Sequence, residues 1–348
     1  MPLSRSRLEQ VRVPDELPGF KIRRYRPGDE SGILRGFERV FAPGNPAFTP
    51  KSIAHWRWQF SENPDGMQVY VAIDDASGEV AGHFACVPRR AKCGDRLGVA
   101  TEGVDSYVDS RFRGGLRRPG LFVVLAVRFF RDYADGGNLF DYGLPVSAAW
   151  RMGNAFLRYR VVSHLLALER SVAEPRALGG PASPTVSEVS DFDVRFDDLW
   201  TRVAPELEIA CVRDAKALRW RYVLHPAHRY RIGVVGDAKT LRGYAIFRRG
   251  HFDDRDHGLL VDLLVPRADI DAAHALTRWA AERAREEGAS ALTAVVPPPS
   301  PWFLELQRRG FLVRGTKYDW VVGWERRPYD APALRRAWWC TLGDTDLA

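Results

Sequence analysis

The sequence predicts a mixed α/β protein made of two tandem domains of one fold, each a largely antiparallel twisted sheet flanked by helices. Two observations carry this expectation. The stretch HWRWQFSENPDG at 55–66 is echoed by ALRWRYVLHPAH at 217–228, with Arg57, Trp58, Phe60 and Pro64 answered by Arg219, Trp220, Tyr222 and Pro226 at an offset of 162 positions. Behind each copy the chain then writes the same β-β-β-α-β order. A length of 348 residues suits two domains of ordinary size.

In the first copy the apolar spacing of ESGILRGFERVF predicts a helix, and QVYVAID, the turn DASGE and VAGHFACVP predict a hairpin. VATEGVDSYV follows as a strand, and GLFVVLAVRFFRDYAD as a helix with Leu121, Leu125 and Phe129 on its packing face. NLFDYGLP is a further strand ending at proline. The second copy repeats this with YRIGVVG, the turn DAKTL, RGYAIFRR, GLLVDLLVP, the helix IDAAHALTRWAAERAREEG and ALTAVVP. The domains are expected at 20–170 and 192–328, after an N-terminal arm at 1–19. Between them, 171–191 is rich in Pro, Gly, Ala and Ser without apolar periodicity and reads as a linker. The tail at 329–348, with Trp338 and Trp339 adjacent, is expected to dock on the body.

Composition narrows the function. Net charge is +7 and the pI about 9.4, but the arginines are scattered in pairs, with no basic helix or arm. That pattern favours anionic small molecules over a specific nucleic-acid partner. No apolar run reaches the length of a membrane span and the N-terminus lacks a signal-peptide core, so a cytoplasmic protein is expected. Cys86, Cys93, Cys211 and Cys340 form no CxxC pair, so reduced, buried thiols are expected.

Several motifs are set aside on spacing. GHFDDRDHG at 250–258 matches no metal-ligand pattern and reads as a hairpin connection. Ser163 and His164 are strand neighbours that point to opposite faces, without a nucleophile elbow. The repeated tryptophans read as core. No metal is expected.

The stretch VDSRFRGGLRRPGLFVVL at 108–125 stands apart, because it places glycines and arginines between a strand and a helix. Bare backbone amides, the helix dipole and arginine side chains are together suited to a pyrophosphate. The element order and this junction resemble the GNAT superfamily of N-acetyltransferases. Val108 and Arg113 keep the family's usual interval and Gly114 follows directly, but GLRRP then replaces a single residue before GLF. The resemblance covers most of 20–159 and, more loosely, 200–324.

The resemblance implies that acetyl-CoA is bound by Val108, Arg113, Gly114, Gly115, Arg118, Gly120, Leu121 and Phe122. The second copy has VPRADIDAAHAL at the equivalent junction, without glycine, and is expected not to bind it. Attack of an amine on the thioester requires a base and a donor to the leaving sulfur. Strand period places Glu102, Val104, Ser106 and Val108 on one face, with Thr101, Gly103, Asp105 and Tyr107 on the other. Some members carry their catalytic Glu six residues before the valine, which implies Glu102 as the base. Tyr159, on the helix after the fifth strand, is the sulfur-donor candidate, with Tyr142 second. The expected activity is acetyl transfer to an amine on a small molecule or sugar; the alternative is an inert binding or scaffold protein of the same fold.

Overall fold

The computed structural model describes residues 13–14, 16–46, 48–113, 120–134, 137–173, 184–323 and 329–348. The chain divides into two compact units, one of residues 1–90, 98–162 and 320–331, the other of 91–97, 163–319 and 332–348.

The first unit opens with β1 (Phe20–Arg24), α1 (Glu30–Phe41) and α2 (Ile53–Gln59), followed by β2 (Gln68–Asp74), β3 (Val80–Cys93) and β4 (Arg96–Val108). Then come α3 (Leu121–Ala134), β5 (Asn138–Gly143) and α4 (Ser147–Phe156). β1 and β3 flank β2 antiparallel, and β4 pairs parallel with β5. Local sequence sets the ends: Ser52 caps α2 by accepting from the His55 amide. β2 is apolar at successive positions because both of its faces are covered. On one face α3 packs through Leu121, Val124, Leu125 and Phe129 against Phe84, Cys86 and Val108. On the other, Tyr107 Oη donates to the Ile33 carbonyl of α1 at 2.7 Å.

The second unit receives β6 (Arg160–Ser171) and adds β7 (Ser187–Val189), α5 (Val194–Val203), β8 (Ile209–Cys211) and α6 (Ala215–Leu218), which runs on into a π turn at Arg219–Val223. After these come β9 (Arg231–Gly236), β10 (Leu241–Phe252), β11 (Arg255–Leu264), α7 (Ile270–Glu286), β12 (Ala291–Ala294), α8 (Pro301–Arg308) and β13 (Leu312–Gly323). α9 (Ala331–Ala337), β14 (Trp338–Trp339) and a 3-10 turn at Leu342–Asp344 end the regular structure. Here too the hairpins are antiparallel and the strand after the long helix is parallel to the strand before it. Both echo segments form helical turns, and Trp58, Phe60, Trp220 and Tyr222 are all buried. The core of this unit lies under α7, through Ala275, Leu276, Trp279 and Ala280.

The units do not follow the boundaries 20–170 and 192–328, because strand pairing is not local. β6 leaves the first unit at Val162 and pairs with β12 from Leu168 to Ser171. β13 begins in the second unit, and its last residues, Val321–Gly323, pair with β5. Residues 91–93 of β3 pair with β8. Within the expected linker, 187–189 is a strand on β9, while 174–183 and most of the N-terminal arm lie outside the described residues. Residues 332–348 belong to the second unit, where Arg213 bonds Asp344 at 2.7 Å. No helix among the described residues is long and apolar enough to cross a membrane, and the four cysteines are buried.

Candidate functional site

The junction between β4 and α3 is organised by charge. Asp109 caps a short 3-10 turn at Ser110–Phe112, accepts from the Arg111 guanidinium at 2.9 Å and from Arg39 at 2.9 Å. Arg111 holds the Asp109 carboxyl at about 2 and also reaches Glu79 at 2.7 Å. Both are therefore committed to the protein's own ion network. Arg113 differs: its Nε donates to the Val108 carbonyl at 3.0 Å, and no carboxylate partners it among the described residues. Gly114, Gly115 and Arg118 lie outside the described residues.

At Gly120 the chain turns into α3, and the Gly120 carbonyl accepts the amides of Val123 and Val124 at 3.0 and 3.2 Å. The amides of Gly120, Leu121 and Phe122 have no partner among the described residues, as the geometry of a helix start dictates. Their side chains are committed elsewhere: Leu121 is buried, as is Val108, and the Phe122 ring meets Phe84 at 5.6 Å. A Cβ added at Gly120 meets nothing within 4 Å among the described residues, so the backbone there is approachable from them. Amides without a partner among the described residues, at the mouth of a 14-residue helix, fit a pyrophosphate-bearing group.

The start of α7 contrasts with this. Asp269 accepts from the Ala272 amide at 3.1 Å and pairs with Arg242 at 2.6 Å. That helix already has its anion.

Glu102 does not share a face with Val108. Asp105 has φ of 51°, a left-handed conformation rare for a non-glycine residue, and it interrupts the alternation of β4. Before it, Thr101 faces Asp141 and a Cβ at Gly103 would approach Cys86, on the α3 side. Glu102 therefore points to the opposite side, where Arg89 Nη2 donates to it at 2.9 Å. Beyond the break, Val108 returns to the α3 side and Tyr107 to the other. Glu102 is 2% exposed and sits in a buried ion pair.

Tyr142 is the register partner of Glu102 across the parallel β4–β5 pair, so the two share a face. Its ring contacts Phe140 and Trp320 at centroid distances of 5.9 and 6.0 Å. Tyr159 is not on the helix after the fifth strand. α4 ends at Phe156, Arg158 takes φ of 55°, and the Tyr159 amide bonds the Gly153 carbonyl at 3.1 Å. The Tyr159 ring packs over Gly153 and Gly323 on the α3 side of the sheet. Burial, with Cys86 and Asp141 nearby, raises its phenol. The structure thus brings Glu102 and Tyr142 together and separates Tyr159 from both.

Residues that sequence reasoning passed over occupy the Glu102 face. Lys51 pairs with Asp105 and with Gln59 at 2.7 Å. His83 is fully buried, and its Nδ1 lies 2.9 Å from the Asp105 carbonyl. A histidine inside the apolar run VAGHFACVP was the available signal. The segment at 250–258 is a hairpin turning at Asp253 and Asp254, with φ of 51° and 62°, and these pair with Arg314 and Lys317. His164 meets Asp319 at 2.9 Å.

No protein-family model matches the sequence. No curated protein matches it either. Solved structures do. A GCN5-related N-acetyltransferase from Anabaena variabilis is similar with a TM-score of 0.64 at 15% identity, over 87% of this chain and 72% of that one. One from Kribbella flavida is similar at 0.59 and 16% identity, over 87% and 70%. The N-myristoyltransferase of Saccharomyces cerevisiae, solved with myristoyl-CoA, is similar at 0.57 and 12% identity, over 91% and 80%. The mixed sheets flanked by helices are the fold that these N-acyltransferases share with this chain.

Proposed function

We propose that the chain is a CoA-dependent N-acyltransferase that moves an acetyl group from acetyl-CoA to the amine of a small molecule. The observation that carries this is the start of α3, where the amides of Gly120, Leu121 and Phe122 have no partner among the described residues and the backbone at Gly120 is open to them. The pyrophosphate of acetyl-CoA is assigned to that mouth, and one such site per chain, because α7 is capped by Asp269. The fold shared with N-acyltransferases supports the same reading.

Acetyl-CoA supplies the activated carbonyl. The amine nitrogen attacks it, a C–N bond forms, the C–S bond breaks with its electron pair on sulfur, and the nitrogen loses one proton. Glu102, an acceptor on the inner face of β4, is assigned the proton, directly or through a water. Its register partner Tyr142 is the better-placed donor to the leaving sulfur, since Tyr159 faces the other side of the sheet.

The Arg89–Glu102 pair favours a second reading, in which Glu102 serves only the fold and the chain binds without transferring. Calorimetric titration with acetyl-CoA and CoA, followed by thiol release with a panel of primary amines, separates them. The first reading expects one site per chain, weakened by Arg113→Ala, and release with at least one amine. Binding without release leaves the second; no binding refutes both.

A further inference from the structure

On the side of β3 that carries α1 and α2, His83 and Trp56 each bury a polar atom without a hydrogen-bond partner, an acceptor and a donor. His83 is 0% exposed. Its Nδ1 lies 2.9 Å from a carbonyl oxygen, which can only accept, so Nδ1 carries the hydrogen and Nε2 presents a lone pair. That lone pair meets no donor. Trp56 is 1% exposed, and its Nε1–H meets no acceptor. Both side chains contact one ring: Phe60 lies 5.2 Å from Trp56 and 6.0 Å from His83, centroid to centroid. Tyr107, on the far side of His83, is already committed to the Ile33 carbonyl.

Burying an unsatisfied polar group costs about 1–3 kcal/mol, and two around one ring call for a reason. The second unit shows that the fold does not require them. In the matching segments Leu218, Tyr222, Tyr244 and Asp262 stand where Trp56, Phe60, His83 and Asp105 stand in the first unit. Leu218 has no polar atom. Tyr244 donates to Asp262 at 3.0 Å, Tyr222 reaches the same carboxylate at 3.4 Å, and Arg213 and Thr341 close it at 3.1 and 3.0 Å. The same place in the fold is saturated in one unit and unsatisfied in the other.

We propose that His83 and Trp56 are the acceptor-recognition pair of the first unit: the imidazole Nε2 takes a hydrogen bond from the acceptor's amine N–H, and the indole N–H gives one to an oxygen on the neighbouring carbon. Each bond is made directly or through one bridging water. The acceptor class is therefore an amine with an adjacent hydroxyl or carbonyl oxygen. This rests on the acyltransferase reading above. Asp105 positions the imidazole, since its carbonyl fixes the ring and Lys51 holds its carboxylate. Burial keeps His83 neutral, at about 4, with Lys51 and Asp105 the charged groups facing it.

The test is thiol release by the full chain from acetyl-CoA with 2-aminoethanol and glucosamine against ethylamine and cyclohexylamine. The oxygen-bearing amines are expected to give about tenfold to hundredfold higher kcat/KM. His83→Phe should lower kcat/KM on every amine by about tenfold to hundredfold, and His83→Gln, which keeps an acceptor, should recover to within about fivefold. Trp56→Phe should erase the preference for the oxygen-bearing amines. Tyr244→Phe, at the matching place in the second unit, should lower the melting temperature and leave release unchanged. Acetyl-CoA affinity, measured calorimetrically, should be unchanged in all four variants. Preference and rates within twofold of wild type in His83→Phe and Trp56→Phe overturn the assignment, as does release with no amine by a chain that binds acetyl-CoA. A wild-type chain that binds no acetyl-CoA fails at the earlier reading instead.

Discussion

Gly120→Ala isolates the mouth of α3 from the stability of the fold. The residue is not in the left-handed region and an added Cβ meets nothing within 4 Å among the described residues, so the methyl group is expected to fit the free protein. The same methyl projects where a phosphate oxygen must come to within about 2.9 Å of the amides. Loss of one charge-assisted hydrogen bond there is worth about 1.5–3 kcal/mol, a rise in Kd of about tenfold to 150-fold. Titration calorimetry with CoA reads this directly, with the urea midpoint as the control. A Kd within twofold of wild type refutes the placement of the pyrophosphate. Asp269→Ala, at the corresponding start of α7, should instead lose about 1 kcal/mol of stability through its cap and leave the number of CoA sites unchanged.

Glu102→Gln should lower the turnover of thiol release by about a hundredfold or more with CoA affinity intact; an unchanged rate with a lowered urea midpoint would make the residue structural. Gly153→Ala puts a methyl 2.1–2.5 Å from the Tyr159 ring, which is backed by Gly323. Overpacking of about 1–3 kcal/mol outweighs the helix propensity gained, about 1 kcal/mol, so the urea midpoint should fall. Asp109, at about 2 in the folded chain, should contribute about 1–2 kcal/mol above pH 4, lost as the pH falls from about 4 toward 2. The stability difference between wild type and Asp109→Asn, followed by denaturation from pH 7 downward, should shrink across that window only.

Much of the fold was legible because it depends on short-range pattern. The apolar spacing of α3 and α7, the turns between β2 and β3 and between β10 and β11, and the paired tryptophan segments all follow from local periodicity. The orientation of Glu102 was not, because the period-two rule assumes an unbroken strand and an aspartate at φ of 51° leaves no mark in composition. Tyr159 was misplaced for a similar reason: Gly153 sits inside α4, the helix ends at Phe156, and the left-handed turn falls at Arg158, a residue without turn character. The unit boundaries depend on which strands pair across the chain, and a Pro- and Ser-rich segment between domains says nothing about that. The amides of α3 were foreseeable as any helix start is. The orphaned atoms of His83 and Trp56 were not, since a missing partner exists only in three dimensions.

The pairing of β5 with the end of β13 has a consequence during synthesis. Gly143 and Val321 are register partners 178 positions apart. At about 5–20 residues per second, the ribosome delivers the second roughly 9–35 s after the first. Through that interval the nascent first unit carries an edge of unpaired backbone, the kind of surface that recruits foreign strands. A gene cut at the interdomain segment yields an N-terminal half whose sheet lacks its closing strand.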